Sequence, residues 1–176
     1  MKNKSLRKLI LSALLLSLGM VLPFLTMQIK EIGDTLLPMH LPVLLCGLLC
    51  SWRHGALIGL MLPLLRSLLF GMPPLYPNAV WMAAELATYG AVIGLLYLLF
   101  KKRGTVGIYI SLVGAMLAGR IVWGVTKAIL LGVGGKSFTL LAFWTGGFAD
   151  AFPGIILQLI LVPLIVTLAK KAEARR

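Results

Sequence analysis

Long apolar runs separated by short clusters of lysine and arginine leave this chain one suitable solvent. Leu9 to Leu25, Leu86 to Phe100, Gly104 to Gly119 and Ala151 to Ala169 carry no formal charge at all. A soluble domain is roughly 45–50% apolar and about 25% charged. This one is 60% hydrophobic and 12% charged, with a mean hydropathy of +0.99, so the bilayer must cover most of its surface. A spanning helix needs about 20 mostly apolar residues. The 176 residues therefore predict an all-α membrane protein, a bundle of about six transmembrane helices forming a single transmembrane domain over 1–176. That length leaves no room for a soluble catalytic or ATP-binding domain.

The net charge of +12 would suggest nucleic acid in a soluble protein. Its placement argues against a nucleic-acid partner and points to topology. Lys2, Lys4, Arg7, Lys8, Arg53, Lys101, Lys102, Arg103, Lys170, Lys171, Arg175 and Arg176 fall on one side of an alternating six-span chain, and only Lys30 and Lys136 on the other. Lys and Arg accumulate in short cytoplasmic loops, so both termini are expected to be cytoplasmic in a multi-pass protein of a prokaryotic plasma membrane. The basic start and the apolar Leu9–Leu25 stretch resemble a signal peptide, but no small-x-small cleavage site follows, and the stretch is read as a retained first helix.

The spans are expected at Leu6–Leu25, from after Pro42 to near Trp52, at Ala56–Phe70, Asn78–Phe100, Val106–Leu131 and Phe148–Ala169. A polar segment from Gln28 to Thr35, with Lys30, Glu31 and Asp34, follows the first, and Arg53-His54-Gly55 makes a turn before the third. The segment Gly71 to Asn78 holds three prolines, which remove backbone donors and constrain their neighbours, so it is read as a stiff non-helical loop packed on protein.

An ionisable side chain at the centre of a span costs roughly 2.5–3.5 kcal/mol on the insertion scale and marks a functional candidate. Arg66, Glu85, Arg120, Lys127 and Asp150 are the five, on four helices. At ~1.5 Å per residue all lie within ~6–17 Å of the outer helix ends, which predicts convergence on one outward level. Arg120, Trp123 and Lys127 are spaced i, i+3, i+7 and share a face. Asn78, Trp81 and Tyr89 lie on the fourth helix, Trp144 in the last loop, Gln158 on the sixth helix, and His40 at the outer mouth of the second. Apolar walls with a few fixed polar groups are how small-molecule sites are built, and this set suits a small polar solute with an anionic group. The plainer alternative pairs Arg66 with Glu85 and Lys127 with Asp150 as structural ion pairs, leaving Arg120 over; His40, between prolines, reads equally well as solvated.

Cys46 and Cys50, four apart without nearby His or carboxylate, make a poor metal site and read as buried thiols. No phosphate loop, paired histidines or nucleophile motif is present, so neither enzyme activity, cofactor nor metal is expected. Ala13 and Ser17 form a small-xxx-small pair on the first helix that lets another helix approach closely.

These features together resemble the substrate-binding S component of energy-coupling factor (ECF) vitamin transporters. The resemblance rests on the six-helix layout, the basic start before Leu6 to Leu15, the Ala13/Ser17 pair, the block Leu37-Pro-Met-His-Leu-Pro-Val-Leu-Leu-Cys-Gly47, Gly55 to Gly59, and Leu64-Leu-Arg-Ser-Leu-Leu-Phe-Gly-Met-Pro-Pro74. It implies capture of a vitamin or related micronutrient from outside and docking through the first helix onto a membrane scaffold (T) subunit driven by two ATPases. Where the family usually has two alanines in that helix, this chain has Ala13 and Ser17. The cationic surplus of Arg66, Arg120 and Lys127 favours an acid such as pantothenate or nicotinate; Glu85 alone would suit a pyridoxine-like or pyrimidine ligand. A structural scaffold of the rod-shape type and a stand-alone secondary transporter are the alternatives, and the latter would want a coupling-ion site or repeat symmetry.

Overall fold

The computed structural model describes residues 4–25, 35–135 and 137–174. Gln28, Lys30, Glu31, Asp34, Lys2, Lys136, Arg175 and Arg176 lie outside them. Among the described residues the chain is helical and has no strand. The principal helices are α1 (Lys4–Leu25), α2 (His40–Leu49), α3 (Trp52–Phe70), α4 (Val80–Phe100), α5 (Gly104–Val133) and α6 (Phe152–Ala174).

Four stretches are long and apolar enough to cross a membrane: Ser5–Phe24, Trp52–Phe70, Leu75–Val133 and Phe152–Ala172. The third, of 59 residues, holds two crossings, because the 3-10 turn Lys101–Arg103 and Gly104, at φ +58°, reverse the chain between α4 and α5. The ten residues of α2 reach only ~15 Å, about half of the ~30 Å hydrocarbon core. Instead of facing lipid, α2 is enclosed by its neighbours, with Val43, Leu44 and Cys46 fully buried. The six-helix layout therefore stands, with α2 the shortest of the six and enclosed by the others.

Lipid replaces water on the outer faces. On α5, Val106, Val113, Leu117, Ile121, Val125, Ile129 and Val133 recur at seven- and four-residue steps and are all exposed. Burying a side chain of this size is worth ~1.5–3 kcal/mol, so such a stripe is tolerable only against hydrocarbon. The opposite face supplies Ile108, Leu112 and Ala115 to a core shared with Leu44 of α2, Leu62 of α3 and Leu86 and Ile93 of α4.

Several helix boundaries differ from the sequence reading for local reasons. Helix α2 begins at His40 rather than after Pro42, because the first four N–H groups of a helix have no intrahelical partner and a proline there loses nothing. Helix α3 begins at Trp52, so the expected turn Arg53-His54-Gly55 is its first turn. Extended Ser51 caps it, its Oγ accepting from the His54 N–H at 3.5 Å and hydrogen-bonding His54 Nδ1 at 2.7 Å. At its other end Gly71 takes φ +70°, which favours glycine. The proline segment is irregular as expected: one wide turn, Leu75–Ala79, closes through the Ala79 N–H to the Pro74 carbonyl at 3.0 Å around an extended Tyr76. It is not packed down, however, since Met72, Leu75 and Tyr76 are exposed. Leu140–Trp144 forms a short helix where a loop was expected, and α6 starts at Phe152 rather than Phe148.

Glycines set how closely α2, α3 and α4 approach. A Cβ on Gly55 would stand 2.7 Å from the Gly90 carbonyl oxygen and 2.8 Å from the Gly47 Cα, and one on Gly90 would strike the Gly55 carbonyl. These obstacles are backbone and cannot swing aside. Gly90→Ala is expected to lower stability by about 1–3 kcal/mol, the usual cost of overpacking, whereas Gly132→Ala, with nothing within 4 Å, should be silent. Thermal unfolding of the two variants in detergent checks the difference.

The bundle has two chemically distinct ends. Lys8 carbonyl accepts from the Cys50 thiol at 3.6 Å, Trp52 packs on Gly94, and Lys170 Nζ sits 4.1 Å over Tyr97, so the basic clusters of α1, α3, the α4–α5 turn and α6 gather at one end. Cys46 and Cys50 are buried there between α1 and α2, with Cys46 Sγ 3.5 Å from Ser12 Oγ. At the other end is a cavity.

Candidate functional site

The cavity encloses about 450 Å³, and among the described residues α1, α2, α3, α4 and α5 each send side chains to its wall. Trp81, Glu85 and Tyr89 are spaced by four on α4 and so share one face. Arg120, Trp123 and Lys127 come from the facing stripe of α5, Arg66 from α3, His40 from the first turn of α2, Asn78 from the wide turn before α4, and Asp150 from the turn before α6. Nine of the ten solute-binding candidates named from the sequence thus meet at one cavity. The tenth, Tyr89, is set behind it. Its ring is fully buried and meets His40 edge-on, with centroids 4.9 Å apart, so it holds the imidazole rather than forming wall.

The charge pairing differs from that of the ion-pair alternative. Glu85 Oε1 accepts from Arg120 Nη1 at 3.0 Å and lies 3.3 Å from His40 Nε2, all three residues being 2–3% exposed. Arg120, expected to be left over, is therefore the partner of Glu85. The carboxylate also fixes the imidazole: an ionised oxygen only accepts, so Nε2 must carry the proton that faces it. His40 is accordingly a buried member of the site and not a solvated residue. Its Nδ1 has no hydrogen-bond partner among the described residues, and neither do Arg120 Nε and Nη2.

Arg66, which the ion-pair alternative set opposite Glu85, instead binds α1. Its Nη1 donates to the Met20 carbonyl at 2.7 Å, and its Cζ lies 4.8 Å from the Phe24 ring and 5.6 Å from the Phe70 ring. Phe24 and Phe70 themselves meet edge-on at 5.0 Å. On α5, Lys127 Nζ stands 4.5 Å from the centroid of Trp123, 5.2 Å from Trp81 and 5.5 Å from Phe138. The i, i+4 step that predicted a cation beside an indole holds in space. Asp150, its backbone N–H bonded to the Thr145 carbonyl at 2.8 Å, brings the second carboxylate to the wall.

Two residues near the site in sequence lie apart from it. Trp144 is 61% exposed and stacks on Phe148, and Gln158 is buried on α6 away from the cavity wall. Sequence reasoning passed over Phe138, the Phe24/Phe70 clasp, and the walls given by Leu37, Met39 and Met82. Apolar residues in an apolar chain carry no signal of their own; only the prolines of Met72-Pro73-Pro74, which line the mouth, stood out.

On α1, Ala13 and Ser17 lie on the exposed face with Leu9, Leu14, Leu18 and Val21, away from the cavity. Ser17 Oγ donates back to the Ala13 carbonyl at 3.0 Å, so the hydroxyl is satisfied within the helix and presents little more than an alanine would.

The family model for the ECF transporter substrate-specific component matches residues 7–166. No curated protein and no solved structure matches the chain. With a match over most of its length and a bundle of apolar helices closed around a solute-sized cavity, the chain belongs to the substrate-specific components of ECF transporters.

Proposed function

We propose that this component captures a small acidic nutrient from outside the cell, with a carboxylate seated against Arg120, and hands it to a T subunit and two ATPases docked on α1. Components of this family bind small substrates and work with such partners; the acidic character of the solute is inferred from the site. The observation that carries it is the unpartnered edge of Arg120. Nε and Nη2 form the fork that a carboxylate grips bidentately, and buried donors left without an acceptor cost ~1–3 kcal/mol each. Among the described wall residues, Arg66, Arg120 and Lys127 supply three cationic side chains beside the carboxylates of Glu85 and Asp150. The cavity falls in the ~300–1,000 Å³ range of small-molecule sites, with room for an acid of the size of pantothenate or smaller, such as nicotinate.

A cationic or neutral pyridoxine-like solute would rely on Glu85, whose Oε1 is already taken by Arg120 and His40. The single domain is oriented with its basic end in the cytoplasm and the cavity toward the exterior, as the placement of Lys8, Arg53, Lys101–Arg103 and Lys170 at the opposite end supports. A thermal-shift panel of water-soluble vitamins on detergent-purified protein tests the reading. Ligand at 1,000 times its Kd adds ~4 kcal/mol, so a true cargo shifts Tm plainly. The expected hit is an acid; a hit confined to cationic or neutral vitamins, or a silent panel on folded protein, would defeat it.

A further inference from the structure

Three rings converge on the ammonium of Lys127, from three separate parts of the chain: Trp81 of α4, Trp123 of α5, and Phe138 of the segment before Leu140–Trp144. All three centroids lie within the ~6 Å range of cation–π attraction. Trp123 and Phe138 stand nearly perpendicular, 5.9 Å apart at 82°, like two walls of a box. Boxes of this kind are the standard receptor for quaternary ammonium groups. Here Trp81, Trp123 and Lys127 also line the cavity, so the box opens where a solute would sit.

A lysine reaching such a box has two effects on what else enters. It fills the space between the rings, and it places a positive charge at the position where a cationic solute would gain most. We propose that Lys127 is a built-in occupant of an aromatic box and that, by holding it, the chain excludes organic cations from the cavity. Lys127 is thus a specificity-determining residue. Discrimination is a difference between affinities and is often achieved by building repulsion against the wrong ligand. The inference rests on the cavity being the solute site, and it deepens that reading by naming the class that is turned away. Among the described residues, the other ionisable groups on the cavity wall are Arg66, Arg120, Glu85, Asp150 and the imidazole of His40.

Tetramethylammonium and choline are the probes, with tryptophan fluorescence and thermal shift as readouts on the full chain. Native protein should bind neither measurably. Lys127→Ala and Lys127→Gln should both gain binding, at least tenfold tighter than native. Lys127→Arg, which keeps the charge, should stay at the native level. Adding Trp81→Leu to Lys127→Ala should remove the gain. Binding of either cation by native protein as tightly as by the neutral variants would overturn the proposal, and the native measurement stands even if a variant does not fold. No gain in a folded Ala or Gln variant would overturn it too, as would an equal gain in Lys127→Arg. None of these outcomes depends on an acidic ligand being found, so a silent vitamin panel and a failed gain of cation binding are separate results.

Discussion

Arg120→Met should weaken capture of the acidic solute by about 100-fold or more. Two charge-assisted hydrogen bonds from the Nε/Nη2 edge, at ~1.5–3 kcal/mol each, set that scale. The same change strips Glu85 of its strongest partner, and breaking a buried pair from one side typically costs ~3–5 kcal/mol of stability. Loss of binding by the single variant therefore does not by itself separate recognition from folding. The double variant Arg120→Met/Glu85→Gln separates the two. A neutral amide leaves no uncompensated charge and can still accept from His40 Nε2, so the double variant should recover Tm relative to the single one and still fail to bind. If the double variant binds as tightly as native protein, Arg120 is only a structural partner of Glu85. Equilibrium binding together with thermal unfolding provides both readings.

Ala13→Trp should abolish assembly with the T subunit while leaving solute affinity within about twofold of native. Small residues let helix backbones approach closely in a membrane, where van der Waals packing rather than the hydrophobic effect drives association. Ala13 lies on the uncovered face of α1, and Ser17 adds no free hydroxyl to it. An indole at that position would hold a partner helix off by several ångströms. The same face lies away from the cavity, to whose wall α1 contributes Pro23 among the described residues. Co-purification with the tagged T subunit checks this, with Tyr109→Trp on the exposed stripe of α5 as a control that should assemble normally. Unimpaired assembly of the Ala13 variant would move the docking face elsewhere.

Much of this architecture is legible in sequence because a membrane makes charge expensive. Arg66, Glu85, Arg120, Lys127 and Asp150 stand out against apolar runs, and helical rise alone places them at one level, where the structure brings them to one cavity. Their partners were less legible. Pairing Arg66 with Glu85 assumed that a cation seeks the nearest carboxylate, yet a backbone carbonyl and two aromatic rings satisfy Arg66, which no periodicity reveals. His40 was ambiguous because Pro38 and Pro42 suggest a loop, whereas Pro42 sits harmlessly in the first turn of α2. The brevity of α2 was visible, but that it is buried on all sides depends on glycines of three helices meeting at Gly47, Gly55 and Gly90. Family membership sets aside the structural-scaffold and secondary-transporter alternatives, which composition alone left open.

The most direct test is to measure the Kd of matched acid and neutral pairs on purified protein: nicotinate against its amide, nicotinamide, and pantothenate against its alcohol analogue. Within each pair only the carboxylate changes. A site built around the Arg120 fork should favour the acid of its cargo pair by about 100-fold. Equal affinity for acid and neutral analogue, or preference for the neutral one, would contradict recognition of an anion in this cavity.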